Sequence, residues 1–193
     1  MKVIHPADLK IWHKRGGPTE VAAKFGLSFL QQFFDNPHTN EEVEFSLFTV
    51  KSGNQICAVT TEGNVLVVRQ YKQGVHEIVW EFPGGFPRGS ETACEVGIRE
   101  LREETGYETA TMLHTGTFPL HTRKSPSVFN TLLALDCRCM GKPQLEADEV
   151  IEVAEMAPAE FWSMVRNHQF KEPQSIMAAV QAALLGYLPF SCT

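Results

Sequence analysis

Gly85 to Tyr107 reads GFPRGSETACEVGIRELREETGY, and the punctuation of this stretch decides how the rest of the chain is read. A glycine turn comes first, then Glu91, then a run that ends at Gly106. Thr92 followed three residues later by Glu95 forms a capping box, which predicts a helix starting at Cys94 or one residue before it. Gly106 supplies the left-handed residue that closes many helices. Within those limits Glu100, Glu103 and Glu104 stand at i, i+3 and i+4 and share one face. Cys94, Ile98 and Leu101 repeat at three- and four-residue spacing on the neighbouring face, which is expected to pack on a sheet.

Like charges on one helical stripe repel by roughly a few tenths of a kcal/mol per exposed pair. A helix with only a structural task would interleave lysines. A hard divalent cation removes the conflict, because Mg²⁺ prefers carboxylate oxygens and lets water and substrate phosphates complete its shell. An isolated acidic helix face is ordinarily just solvated. Here the upstream glycines, Glu91 and Arg99 favour the chemical reading.

The spacing G-x5-E-x7-R-E-U-x-E-E-x-G-U, with U aliphatic, is the signature of Nudix hydrolases, and this chain resembles that family. It meets the pattern at Gly85, Glu91, Arg99, Glu100, Leu101, Glu103, Glu104 and Gly106, and departs from it only at Tyr107, in the last aliphatic slot. The resemblance covers about residues 41–193 and implies an α/β fold, an α/β/α sandwich with a mixed β-sheet between helices. Residues 1–40 lie outside it as an N-terminal extension.

Composition is that of an ordinary globular protein. The chain has 193 residues, 43% hydrophobic and 21% charged, enough for one well-buried core. A net charge of -6 argues against a nucleic-acid surface, which needs clustered Lys and Arg. A small phosphorylated substrate remains compatible, since a bound cation inverts the local field. Five scattered cysteines form no C-x-x-C pair, so neither a zinc site nor a redox motif is indicated and a reducing cytoplasm is expected. Cys137 and Cys139, two apart in a predicted strand, are expected to share a face and to pack. The first residues lack the apolar run of a signal peptide, and no stretch reaches membrane-spanning length.

Along the chain, Gly16-Gly17-Pro18 reads as a breaker, and Glu20 to Phe34 as a helix with Val21, Phe25, Phe29 and Phe33 on one stripe. Val43 to Val50 and Gln55 to Thr60 flank Ser52-Gly53-Asn54 and predict a hairpin. Glu62-Gly63-Asn64 then turns into a strand from Val65 to Tyr71, and Ile78 to Phe82 forms another. Met112 to Phe118, Ser127 to Asp136 and Val150 to Met156 read as strands, the first two separated by a polar loop from His121 to Pro126. Ala159 to Asn167 and Gln174 to Leu185 read as helices, the first opening with Pro158.

The resemblance also implies chemistry. Nudix enzymes split a diphosphate linked to a group X by attack of water on phosphorus, so positioning and charge neutralisation carry the rate. It assigns Glu100 and Glu104 as the main Mg²⁺ ligands, Mn²⁺ being an expected substitute. Glu103 shares a metal or orders its surroundings, and the carbonyl of Gly84 is a further ligand. Glu91 and Arg99 are expected to pair and fix the loop at Gly85 against the helix. A distant carboxylate should act as base or extra ligand; in Glu146-Ala147-Asp148-Glu149 the first choice is Glu149 and the second Glu146. An acidic turn before a strand is the plainer reading of that tetrapeptide.

Val68-Arg69-Gln70-Tyr71 and Trp80-Glu81-Phe82-Pro83-Gly84-Gly85 resemble the ADP-ribose pyrophosphatase and nucleoside-diphosphate-sugar branch. That resemblance places Arg69, Tyr71, Trp80 and Glu81 at the substrate, with Arg69 meeting a phosphate through its planar fork. Tyr71 and Trp80 either stack on a base or belong to the core. The proline expected downstream of the box in ADP-ribose enzymes is out of register, with Pro119 and Pro126 flanking its place. Two other readings share the box: a housecleaning hydrolase of nucleoside triphosphates, and a non-catalytic nucleotide-sugar sensor. A homodimer formed through N-terminal strands is expected from the same branch, with a small nucleotide as the ligand and no nucleic-acid or membrane partner.

Overall fold

The computed structural model describes residues 10–147 and 149–190 of the chain. They fall into two compact units, Met1–Lys51 with Pro119–Ser127, and Ser52–Phe118 with Val128–Thr193. The sequence reading sets its boundary at residues 40/41, and the compact units part at 51/52.

The first unit carries a three-stranded antiparallel sheet in the order β1 (His13–Lys24), β2 (Leu27–Asp35) and β3 (Glu42–Thr49). This replaces the helix expected from Glu20 to Phe34. Phe25 and Gly26 both take positive φ, 52° and 77°, and turn the chain tightly between β1 and β2. The apolar stripe is thereby broken at its middle, and Phe25 is left 95% exposed. Gly16-Gly17-Pro18, read as a breaker, lies inside β1 where the register shifts between Arg15 and Thr19. Glycine and proline are tolerated in a strand at such bulges.

The second unit is built on a mixed sheet whose central strand is β4 (Gly53–Thr60). It is followed by β5 (Val65–Lys72), β6 (Glu77–Glu81), β7 (Gly84–Gly85), α1 (Ala93–Thr105), β8 (Tyr107–Glu108), β9 (Thr111–His121), β10 (Ser125–Cys139), β11 (Glu152–Met156), α2 (Pro158–Arg166) and α3 (Pro173–Leu184). The order is β11-β5-β4-β10-β8, with β6 on β5, β7 on β4 and β9 on β10. The expected hairpin of residues 43–60 does not form. β3 pairs with β2, whereas β4 lies parallel to β10 and antiparallel to β5 and β7. The run Ile56-Cys57-Ala58 is buried on both faces, as a central strand requires and a peripheral hairpin does not.

Alternation along the strands divides the core into two layers. Ile56, Ala58, Leu66, Leu132 and Ala134 pack beneath Leu101 of α1. Cys57, Val59, Val65, Val67 and Leu133 face Phe161, Trp162 and Ala178, with Phe82 stacked on Phe161 at 5.3 Å. Helices thus cover both faces of a mixed sheet, the expected α/β/α sandwich. Cys137 is buried but Cys139 is exposed. A bulge after Ala134 and a positive φ at Asp136 disturb the strand where both cysteines were expected to pack. Cys192 lies outside the described residues.

Candidate active site

Helix α1 begins at Ala93 on the expected capping box: the N–H of Thr92 donates to Glu95 at 2.7 Å, and the N–H of Glu95 donates to the Thr92 hydroxyl at 3.3 Å. Gly106 closes it at φ 76°, where its N–H donates to the carbonyl of Arg102. The buried face differs from the one expected. Ile98 is 49% exposed, and the residues turned inward are Val96, Gly97, Glu100, Leu101, Glu104 and Thr105. The helix therefore turns two of its carboxylates towards the protein.

Those carboxylates are met by β7. Gly84 and Gly85 pair with Gln55 and Asn54 of β4, so their backbone is pinned to the central strand. A Cβ on Gly84 would overlap the Asn54 carbonyl, and one on Gly85 would overlap the Glu100 carboxylate. Glycine is required at both for the backbone to approach so closely. The Gly84 N–H donates to Glu104 Oε2 at 2.8 Å. Glu81, at the end of β6, is equally buried and is held by Lys72 and Gln70, each at 2.6 Å.

Glu81, Glu100 and Glu104 thus form a buried carboxylate group. Burial pushes the Glu104 carboxyl up to about 8; the Gly84 N–H opposes this, and the charges of Glu100, Glu81 and Glu149 add to it. Burial also raises Glu100 against the pull of Arg99, and Glu81 against the pull of Lys72.

Around this group stand two arginines. Arg99 donates to Glu91 at 2.8 Å, to Glu100 at 2.8 Å, to Glu103 at 3.1 Å and to the Phe86 carbonyl at 3.0 Å. The expected Arg99–Glu91 pair is therefore present. The guanidinium, helped by the Arg88 N–H, holds Glu91 down at about 2. Arg88 bridges Glu103 at 2.9 Å and Glu146 at 2.5 Å. The carboxylate of Glu149 accepts from the N–H of Glu146 at 2.8 Å, and Asp148 lies outside the described residues.

The structure separates some residues that the sequence grouped. Glu103 does not join the buried group, because Arg88 and Arg99 hold it at the rim. Arg69, Tyr71 and Trp80 stand on the other face of the sheet. Glu81 pairs with Val68 and Trp80 with Arg69, and consecutive residues of a strand point to opposite sides. Arg69 pairs with Glu152 and stacks on Trp80 at 5.1 Å, while the Tyr71 hydroxyl lies 3.3 Å from His76 Nδ1. Sequence reasoning missed Gln70 and Lys72 beside Glu81, although strand alternation from Val68 points to both. It also missed Arg88, for which the box spacing carries no signal.

Among the described residues no three His, Cys, Asp or Glu side chains already converge as an ion-binding cage. The donor set nevertheless suits a hard divalent cation. It is made of oxygens alone, and burial first, with its like charges adding to it, leaves Glu104 reluctant to ionise without added positive charge.

The NUDIX domain model matches residues 51–178, and the chain belongs to that family as a Nudix hydrolase. Such hydrolases generally use a divalent metal. The chain is 25% identical to the ADP-ribose pyrophosphatase of Bacillus subtilis (strain 168) over 124 residues, 64% of this chain and 67% of that protein. It is 23% identical to a methanol dehydrogenase activator of Bacillus methanolicus over 127 residues, with the same coverage. The solved structure of an ADP compounds hydrolase superposes on 93% of this chain and 96% of its own, with a TM-score of 0.78 at 16% identity, a likeness of fold. No helix among the described residues is long and apolar enough to cross a membrane.

Proposed function

We propose that the protein hydrolyses the diphosphate bond of a nucleoside diphosphate linked to X in a Mg²⁺-dependent reaction. The favoured substrate is ADP-ribose or another nucleoside-diphosphate sugar, giving a nucleoside monophosphate and a sugar phosphate. The observation that carries this reading is the Gly84-Gly85 strand laid directly on Glu100 and Glu104, with the Glu104 carboxyl raised to about 8. A buried acid pair of this kind is poor scaffolding and a good cation seat.

Glu100, Glu104 and the carbonyl of Gly84 would hold the cation, with Glu103 ordering its surroundings from the rim. Bound there, Mg²⁺ supplies neutralising charge for the diphosphate and acidifies a water. Glu149, whose charge is felt by Glu104, accepts the proton of the attacking water, with Glu146 as the alternative base. Arg99 ties Glu91, the Phe86 carbonyl and Glu100 together, which keeps the loop after Gly85 in register with the helix. The free thiols of Cys57, Cys94 and Cys137 accord with a cytoplasmic setting.

A homodimer is part of the same reading. β1 is the edge of its sheet and is exposed along its whole length, so its unpaired backbone groups are available to a second copy. Sedimentation equilibrium should return twice the chain mass of 21.6 kDa.

A product assay with Mg²⁺ or Mn²⁺ tests the activity. ADP-ribose and other sugar nucleotides should yield monophosphate and sugar phosphate. Cleavage confined to nucleoside triphosphates would move the protein to the housecleaning class, and binding without turnover would make it a sensor.

A further inference from the structure

On the α1 face of the large sheet, a row of polar side chains on three strands continues the line of the Gly85 carbonyl on a fourth. The Asn54 amide donates to the carbonyl of Gly85 at 3.2 Å, and the Asn130 amide donates to Asn54 Oδ1 at 3.1 Å. The Thr117 hydroxyl then donates to Asn130 Oδ1 at 2.8 Å and lies 3.1 Å from His114 Nε2. Gly85, Asn54 and Asn130 are direct register partners on β7, β4 and β10. Two residues further along β4 and β10, Ile56 and Leu132 share this face and are fully buried in the layer beneath Leu101. The face is thus apolar under the helix and polar beside it.

The row starts at Gly85, which rests on Glu100, and it opens outward: Asn54 is buried, Asn130 is half-buried, and Thr117 and His114 are exposed. Its internal bonds fix each amide and hydroxyl in one orientation. Asn130 retains a second N–H, and Thr117 retains acceptor lone pairs. Polar groups oriented in advance bind with less ordering cost than free ones. None of these four side chains carries a fixed positive charge, so the row offers no counter-ion to a further phosphate.

We propose that this row is the subsite for group X and that it reads the hydroxyls of a sugar. The proposal rests on the diphosphate reading of the carboxylate site. Two strand spacings separate β7 from β10, about 10 Å, which is within reach of a sugar carried on a diphosphate held beside Gly85. The substrate class that follows is a sugar nucleotide, not a nucleoside triphosphate.

The test uses analogues in which CH₂ replaces the oxygen bridging the two phosphorus atoms, so that binding is measured without cleavage. Calorimetry with Mg²⁺ compares the methylene analogues of ADP-ribose and UDP-glucose with methylene-ADP and methylene-UDP. At least one sugar analogue should bind the unaltered protein about tenfold tighter than its parent diphosphate, the equivalent of one or two well-made hydrogen bonds. Thr117→Val, an exposed change, and Asn130→Ala, checked for folding by its melting curve, should bring that ratio to about two or lower while leaving affinity for the parent diphosphates unchanged. Equal affinity for sugar and parent analogues in the unaltered protein, or an unchanged ratio in Thr117→Val, overturns the subsite. Absence of binding by every analogue overturns it too. Loss of the diphosphate reading shows separately, as no hydrolysis of either ADP-ribose or UDP-glucose by a protein whose binding ratio is intact.

Discussion

Gly85 lies against Glu100 so closely that no side chain fits between them, and the contact joins the box loop to the helix it precedes. Gly85→Ala should drive the Glu100 carboxylate out of place. We expect activity to fall at least about 100-fold, with a stability loss of about 1–3 kcal/mol from overpacking. Gly84→Ala meets the Asn54 carbonyl instead, which is backbone and cannot swing aside, so its stability loss should be the larger. Urea titration of the two variants ranks them, and the opposite ranking contradicts the geometry.

Glu104→Gln removes the charge that burial disfavours while keeping the amide's shape. The fold should survive, and kcat should drop by about two orders of magnitude or more, since a neutral amide is a poor cation ligand. Near-normal turnover in this variant would remove Glu104 from the mechanism.

The same residue fixes a pH dependence. Its carboxyl titrates near 8 in the folded chain, above the range for an unfolded glutamate, so between about 4.5 and 8 the folded state binds the extra proton. Stability of the cation-free protein should therefore fall as pH rises through that window, lowering the melting temperature by about 5 °C or more. Mg²⁺ should reverse the loss, and Glu104→Gln should flatten the profile. A melting temperature that rises across this window in EDTA would reverse the sign and refute the assignment.

Arg99 reaches three carboxylates and a carbonyl, and its side chain is only 16% exposed. Arg99→Ala leaves Glu100 and Glu103 facing each other without their shared cation. The expected cost is about 3 kcal/mol, within the range for breaking a buried pair from one side. Arg99→Lys should recover less than half of it, because an ammonium cannot reproduce the planar fork. Denaturant midpoints of the two variants are the check.

Thr92→Ala deletes one half of the capping box and should cost about 1 kcal/mol, read as a lower melting temperature.

The helix boundaries, the cap at Thr92, the closure at Gly106 and the Arg99–Glu91 pair were legible because each is a local signal within one turn or one loop. The second sheet face was legible too, from Pro158 onward. The N-terminal strands were not: Val21, Phe25, Phe29 and Phe33 satisfy helical spacing, and only the turn at Phe25-Gly26 shows that the period is false. The pairing of β4 was hidden for a different reason. Its partner Phe129 is far away in sequence, and a nearby β-rich run at residues 43–50 offered a plausible wrong neighbour. Within the site, the helix period grouped Glu103 with Glu100 and Glu104, yet burial splits them, because Arg88 enters from a loop whose spacing says nothing about it.

The parallel union of β4 with β10 joins Asn54 to a residue 76 positions downstream. The strand on which Gly84 and Gly85 lie is itself completed only when that remote segment arrives. A peptide holding the whole signature sequence would consequently possess Glu100 and Glu104 without the β7 backbone that is laid against them. During synthesis the nascent chain must expose its finished helix before it owns a functioning centre, so maturation of activity should lag behind the appearance of helical signal in refolding.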